Sequence, residues 1–568
     1  MMRMFEKLLV CALVLAAACS DEEDARFVGG DTDSSTDSTS DSGTTDGDAD
    51  TDTDSDSDSD TDGDTDELTC ADAAFNRTYE GCEFWPTVTY NMVWYNFAAQ
   101  TGFEFAVVIA NDRTEDAVIE IEGGALGASI TDSVPAGTVK AILLPWVEAL
   151  KGTTFNAANT SGNRVGASVL VAGGAYHMTS SVPVTAWQFS PLEYEISPIP
   201  AGCIDNLTDA AHCYSVTNDA SLLIPAAAMT GAYRVFSWGG SFPDTFGDAP
   251  GAIAVTATQD NTLVKVELAD DIAAGTGVTA AVAGEVISYT LNAGDVLQLL
   301  AAPGAWMGEP HSDLSGSLVV GLDAADPGTS DAPNFRPVQV IGLSPIADLT
   351  PMTQESYADH MEELVLPAEA LGFEYVVAPP TGRSGSAVQH VVRFIGNVDG
   401  TTLSYEGSSP VGAPAALSAG QVVEIQTTTA FAVSSQDADH PFLVVSYMQM
   451  EEPGVSMMVT PEQFRTEYSF LAPISYQTNY CDVLIPDGAA VLLDGSPIGG
   501  ANQPIAGTGW SVQRVALSAG PGGDGKHKLT SDLPVGLQVM GYGHATSYYY
   551  PGGLDLEIIS EPPVIPIE

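Results

Sequence analysis

The densest run of side chains able to do chemistry is Asp359-His360-Met361-Glu362-Glu363, within Tyr357 to Leu364, a stretch of helical character that ends at Pro367. On a helix, Asp359, Glu362 and Glu363 share a face and offer carboxylates to a divalent cation; the plainer reading is a solvated acidic first turn, which the helix dipole favours. A second acidic run, Asp58-Ser59-Asp60-Thr61-Asp62-Gly63, matches the opening half of a calcium loop, with oxygen ligands at alternate positions and Gly at the turn. Thr69 stands where the bidentate Glu belongs and no flanking helices are readable, so neither run is assigned a metal. The eight histidines are scattered, none with a second His at metal-ligand spacing. No Gly-x-Ser-x-Gly elbow, His-Glu-x-x-His pair, Walker loop or Cys-x-x-Cys pair occurs. The expectation is a chain with no catalytic residues and no cofactor. A carboxylate pair for glycoside hydrolysis is spatial and leaves no mark in a linear sequence.

Aromatic residues offer a different chemistry, flat faces for sugar or protein contact. Trp85, Trp94, Tyr95, Trp187, Trp238, Trp306 and Trp510 read mostly as core. In Tyr548-Tyr549-Tyr550, alternation along a strand sends the middle ring to the opposite face, which predicts at least one exposed tyrosine.

Two of the seven cysteines belong to export. Residues 1–18 read as a signal peptide, with Arg3 and Lys7 as its charged start, Leu8 to Leu15 as its apolar stretch, and Ala16-Ala17-Ala18 before Cys19. Cys11 leaves with the signal. A cysteine at the first mature position is what lipoprotein processing requires, because its thiol receives the diacylglyceryl group, so Cys19 is the expected lipid attachment and a membrane the expected partner. Two or three acyl chains make such an anchor effectively permanent, at about 0.8 kcal/mol per buried methylene. Ser20, where an Asp would retain the protein inward, fits an outer-membrane address facing the exterior. Cys70 with Cys82, and Cys203 with Cys213, are close pairs suited to disulfides in an oxidising exterior, although four cysteines allow three pairings. Cys481 is left over, on the same strand face as Val483 and Ile485, as a buried and inert thiol.

Residues 19–67 are almost wholly Asp, Ser, Thr and Gly after the cysteine. Such a stretch cannot bury enough surface to offset its ordering entropy and its carboxylates repel, so it is expected to be a disordered tether reaching roughly 100 to 150 Å when extended. The net charge of −58 argues against nucleic acid as a partner, since no basic patch is available.

Beyond Cys70 the pattern is strand and turn almost throughout. Val118 to Glu122 and Leu263 to Glu267 alternate apolar with polar, while Phe105 to Ala110 and Leu443 to Ser446 suit strands buried on both faces. A loose repeat runs four times: a tight turn entering a strand (Asn111-Asp112, Asp260-Asn261, Asp399-Gly400, Asp487-Gly488), an Ala-Gly turn (at Gly137, Gly294, Gly420, Gly520), and a Pro opening a strand (Pro183, Pro337, Pro441, Pro534). These features predict an all-β, multi-unit, sandwich-like ectodomain over 68–557. Its units fall at roughly 68–200, 201–350, 351–460 and 461–557, and a tail spans 558–568.

Five motifs in order carry a family resemblance: Gly81-Cys82-Glu83-Phe84-Trp85, Asn218-Asp219-Ala220-Ser221-Leu222-Leu223-Ile224-Pro225, Asp359-His360-Met361-Glu362-Glu363, Pro461-Glu462-Gln463-Phe464-Arg465 with Tyr468-Ser469-Phe470-Leu471, and Ser547 to Gly553. From about Cys70 to Leu554 the chain resembles the IgGFc-binding protein N-terminal domain family. That family is named for a domain of mucin-like IgG-Fc-binding proteins of animals, and its bacterial members resemble surface lipoproteins. The sequence departs from the pattern at Ala358, where a Cys before Asp-His is usual; its loss would leave Cys481 alone. A lipid anchor and a long spacer have value when a domain must reach beyond the local surface, so the expectation is a non-catalytic surface binding or adhesion protein with an extracellular protein or glycan ligand. A surface polysaccharide hydrolase and a structural envelope component are the alternatives.

Overall fold

The computed structural model describes residues 68–91, 103–152, 166–199, 212–215, 217–242, 247–303, 312–349, 358–450, 452–500 and 502–566. The tether, Cys19, the calcium-like run, Trp94, Tyr95, Cys203 and Trp306 lie outside them.

The described chain is all-β, as expected, and one strand-pairing pattern recurs four times. Counted by that pattern the units run over 81–222, 232–364, 374–457 and 465–551, so the first two end later than the expected 200 and 350 because the last strand of each pairs back onto its own spine. In the first unit a long strand, Tyr176–Phe189, serves two sheets. Its first half pairs with Gly81–Phe84 and Ala117–Gly123, its second with Phe105–Ala110 and Ala220–Leu222. The fourth unit repeats this with Lys526–Gly543, paired first with Arg465–Leu471 and Val491–Leu493, then with Thr478–Pro486 and Thr546–Pro551. In the second unit the spine is split. Leu318–Asp323 takes Ala232–Arg234 and Thr262–Glu267, while Val338–Ala347 takes Ala252–Ala257 and Asp359–Leu364. The third splits likewise, into Phe431–Ser434 and Phe442–Met448.

The repeated residues have structural work. Pro337 and Pro441 directly precede the second half of a split spine, whereas Pro183 and Pro534 lie inside a continuous one, where the register slips as the strand passes between sheets. Lacking an amide donor, Pro costs no ladder bond at that bend. The four Ala-Gly turns hold Gly137, Gly294, Gly420 and Gly520 at φ of 72, 82, 70 and 75°, backbone that a β-carbon disfavours. In three units the turns are tied together: the amides of Ala136, Ala293 and Ala419 donate to Asp116, Asp260 and Asp399 at 3.0, 3.1 and 2.9 Å.

A fourth repeated element escaped the sequence reading. After each of Pro225, Pro367 and Thr460 the chain makes one 3-10 turn, the third opening on Pro461, and reaches a buried tyrosine, Tyr233, Tyr375 or Tyr468. Each hydroxyl donates to the carbonyl of the residue following the spine proline: Tyr233 to Val338 and Tyr375 to Phe442, both at 2.7 Å, and Tyr468 to Val535. Each also accepts a nearby amide, from Thr230, Gly372 or Arg465. Removing one hydroxyl strands a buried carbonyl. Tyr375→Phe is therefore expected to lower stability by about 1–3 kcal/mol, seen as an earlier urea midpoint, and no change would show that water replaces the bond.

Over 358–364, the described part of the expected helix at 357–364, no helix forms. Asp359–Leu364 is a strand antiparallel to Val338–Ala347, and all six of its residues are buried. Sheet pairing and partners from other units override a local pattern that resembled a helical turn. The segment after Leu556 is docked: Ile559 and Ser560 donate backbone amides to Glu369, and Ile565 packs against Leu318 and Val320.

Candidate functional site

The last strand of each unit, Ala220–Leu222, Asp359–Leu364, Val455–Met457 and Thr546–Pro551, touches the last strand of the next, and the fourth touches the first. The acidic run singled out above lies in this hub, shielded from solvent. Asp359 accepts the amides of Ser547 at 2.7 Å and His360 at 2.9 Å and the Thr546 hydroxyl at 3.0 Å. Asp219, entering the first unit's last strand, accepts the amides of Glu362 at 2.7 Å and Ala220 at 2.9 Å. Glu363 accepts the Ser221 hydroxyl at 2.6 Å and the Leu364 amide at 2.9 Å. Burial holds Asp219, Asp359 and Glu363 well above the ordinary carboxylate range.

Neither earlier reading of this run survives. Its carboxylates point to alternate sides of a buried strand and bind amides and hydroxyls, so there is no solvated turn. Among the described residues, no group of three or more His, Cys, Asp and Glu side chains is arranged to hold a metal. Thr69, the misfit in the calcium pattern, caps the short helix Cys70–Asn76 in a reciprocal box with Asp72.

Beside the hub runs Trp85 to Asn91, buried throughout yet outside any strand after Phe84. Glutamine side chains replace a neighbouring strand. Gln188 accepts the Thr87 amide at 3.0 Å and returns a donor to its carbonyl at 3.1 Å; Gln298 accepts the Tyr90 amide at 2.9 Å; Gln339 donates to the Trp85 carbonyl at 2.8 Å. The available signal was a lone Gln in three apolar strands: Trp187-Gln188-Phe189, Leu297-Gln298-Leu299 and Val338-Gln339-Val340. A carboxamide carries one donor and one acceptor side by side, like a peptide group, and so satisfies buried backbone.

The tyrosine run also corrects the expectation. Tyr548, Tyr549 and Tyr550 are 0, 1 and 0% exposed, because their strand is covered on both faces: Trp187 lies against Tyr550 and Tyr476 edge-on to Tyr548 on one, and Tyr549 joins the cluster of Met448 and Met540 on the other. Trp85 stacks on His177, Trp238 lies under the Arg393 guanidinium, and Trp510 meets the edge of Phe464. Three of the partly exposed rings form a stack that sequence spacing does not reveal: His212 and His544 lie 5.3 and 4.4 Å from Tyr214, with the buried Tyr194 behind it at 6.0 Å.

Cys70 and Cys82 are joined, with α-carbons 5.7 Å apart, tying the short helix to the first strand. Cys213 is disulfide-bonded, and its expected partner Cys203 lies outside the described residues. Cys481 is free and buried, its thiol pushed well above the usual range by desolvation and then by Asp482. It is expected to resist alkylation in the folded chain and to react on unfolding; rapid labelling under native conditions would contradict this burial.

Four repeats of one strand pattern, closed around a sealed polar hub, define an all-β repeat protein. A family model described as IgGFc binding protein matches residues 219–541, from the first unit's last strand into the fourth unit's spine. The chain belongs to that family. No curated protein matches it.

Proposed function

We propose that this is a lipid-anchored, non-catalytic surface protein whose β ectodomain binds an extracellular protein or glycan. Family membership carries the reading, since the family is described by a binding activity toward a protein. The sealed hub agrees with it: the richest set of acids in the fold holds strands together, and its side chains are buried. Lipid on Cys19 fixes one end and the acidic spacer supplies reach, so ligand contact falls on surfaces of the ectodomain. The stack of His212, Tyr214 and His544 is the surface chosen for test, because flat rings contribute contact area at small entropic cost.

Incubation of the folded, full-length chain with mucins, immunoglobulin Fc and cell-wall glycans is expected to retain at least one of them, and Tyr214→Ala to weaken that retention about tenfold or more. Uniform failure by folded protein would sink the binding reading. Mass spectrometry of the mature N-terminal peptide tests the anchor separately, and an unmodified Cys19 would remove it.

A further inference from the structure

Thr89, Gln188, His360 and Glu362 come from three separate parts of the chain and meet with no exposure to solvent. Thr89 Oγ1 donates to Glu362 Oε2, and Gln188 Nε2 donates to Glu362 Oε1 at 2.9 Å. One carboxylate thus holds a hydroxyl and a carboxamide on its two oxygens. His360 Nε2 lies 3.2 Å from Glu362 Oε2 and 3.4 Å from Thr89 Oγ1. The other ring nitrogen, Nδ1, is buried and has no partner among the described residues. Gln188 Oε1 accepts the Thr87 amide, which draws electron density from the carboxamide carbon.

We propose that this constellation is a self-crosslinking site that joins Thr89 to Gln188 by an ester. Glu362 takes the hydroxyl proton as Thr89 Oγ1 attacks Gln188 Cδ, giving a tetrahedral centre whose oxygen faces the Thr87 amide. The C–N bond then breaks, the proton passes from Glu362 to the departing nitrogen, and ammonia leaves. One hydroxyl and one carboxamide become one ester and one ammonia, with no oxidant, reductant or second substrate. His360, in reach of both hydroxyl and carboxylate, steadies the charge as the proton moves. The reacting groups belong to one folded chain, so no encounter step is needed, and their burial shields the product from hydrolysis. A purely structural network, with His360 bonded to Glu362, would leave both peptides separate and at full mass, and the mass measurement decides between the two. The inference does not depend on the binding reading.

Tryptic digestion of the full chain tests it. The peptide from Thr78 to Arg113, carrying Thr89, is expected to be joined to the peptide from Val165 to Arg234, carrying Gln188, and the pair to be lighter by one ammonia than the two together. Alkaline hydroxylamine is expected to separate the pair. Thr89→Ser keeps the hydroxyl and the joined pair; Thr89→Val gives separate peptides. Separate peptides of full mass from the folded wild-type chain would overturn the proposal. So would a joined pair in Thr89→Val, or Thr89 bonded to the Glu362 peptide with loss of water.

Discussion

Replacing Asp359 with alanine is expected to lower the unfolding free energy by about 3–5 kcal/mol, the largest single-residue loss in the hub. The substitution removes the common acceptor of three donors, the Ser547 and His360 amides and the Thr546 hydroxyl, two of them from the fourth unit and one from the second. The two amides stay buried, whereas the Thr546 hydroxyl can turn to the Asn218 carbonyl at 3.2 Å, and an unpaired buried donor costs about 1–3 kcal/mol. Asp359→Asn keeps one acceptor oxygen and is expected to lose less. Urea titration reads both variants; a loss under about 1 kcal/mol for the alanine variant would show that water enters the hub and replaces the carboxylate.

The second large effect is on acid stability, through His390. This residue is fully buried, hydrogen-bonded to Ser446 at 2.8 Å, and its pKa is held down to about 3, first by desolvation and then by the charge of Arg514. The unfolded chain's histidine titrates near 6.5, so protons bind the unfolded state first. The stabilisation is complete above about pH 6.5 and declines as pH falls toward about 3, by a total on the order of 5 kcal/mol. Asp219, Asp359 and Glu363 act in the opposite sense. Their raised values give stability that is full below the ordinary carboxylate pKa near 4 and lost as pH rises toward their native values. Urea midpoints at about pH 5 and about pH 7.5 give the sum of the two, and comparison with a variant lacking the imidazole isolates the histidine's share. His390→Gln is expected to reduce the loss between those conditions, and an identical loss in variant and wild type would assign the acid limb to other groups.

Much of the fold was legible because its signals are local. Alternation at Val118 to Glu122 and the unbroken apolar run at Phe105 to Ala110 give strands with alternating and continuous burial, as read. The Gly and Pro repeats were visible because positive φ and a missing amide are properties of single residues. The acidic strand was not legible: nothing within Asp359 to Glu363 says that its acceptors serve Ser221, Thr546 and Ser547, more than a hundred residues away in either direction. The same holds for Tyr548 to Tyr550, where alternation correctly separates two faces but cannot say that other units cover both. The tyrosine after each 3-10 turn and the glutamine in each apolar strand could have been found, since each is a polar group at a recurrent place in an apolar setting.

The contact of the fourth unit's last strand with the first unit's has a thermal consequence. A linear array of repeats can melt from its ends, because a terminal repeat has only one neighbour. Here Lys526 of the fourth unit pairs with Asp112 of the first, the Tyr79 hydroxyl accepts the Ser469 amide, and Leu556 donates its amide to the Arg77 carbonyl. Every unit therefore has a neighbour on both sides, and heating meets no frayed terminus from which disorder can spread. The four repeats are expected to melt in one calorimetric transition.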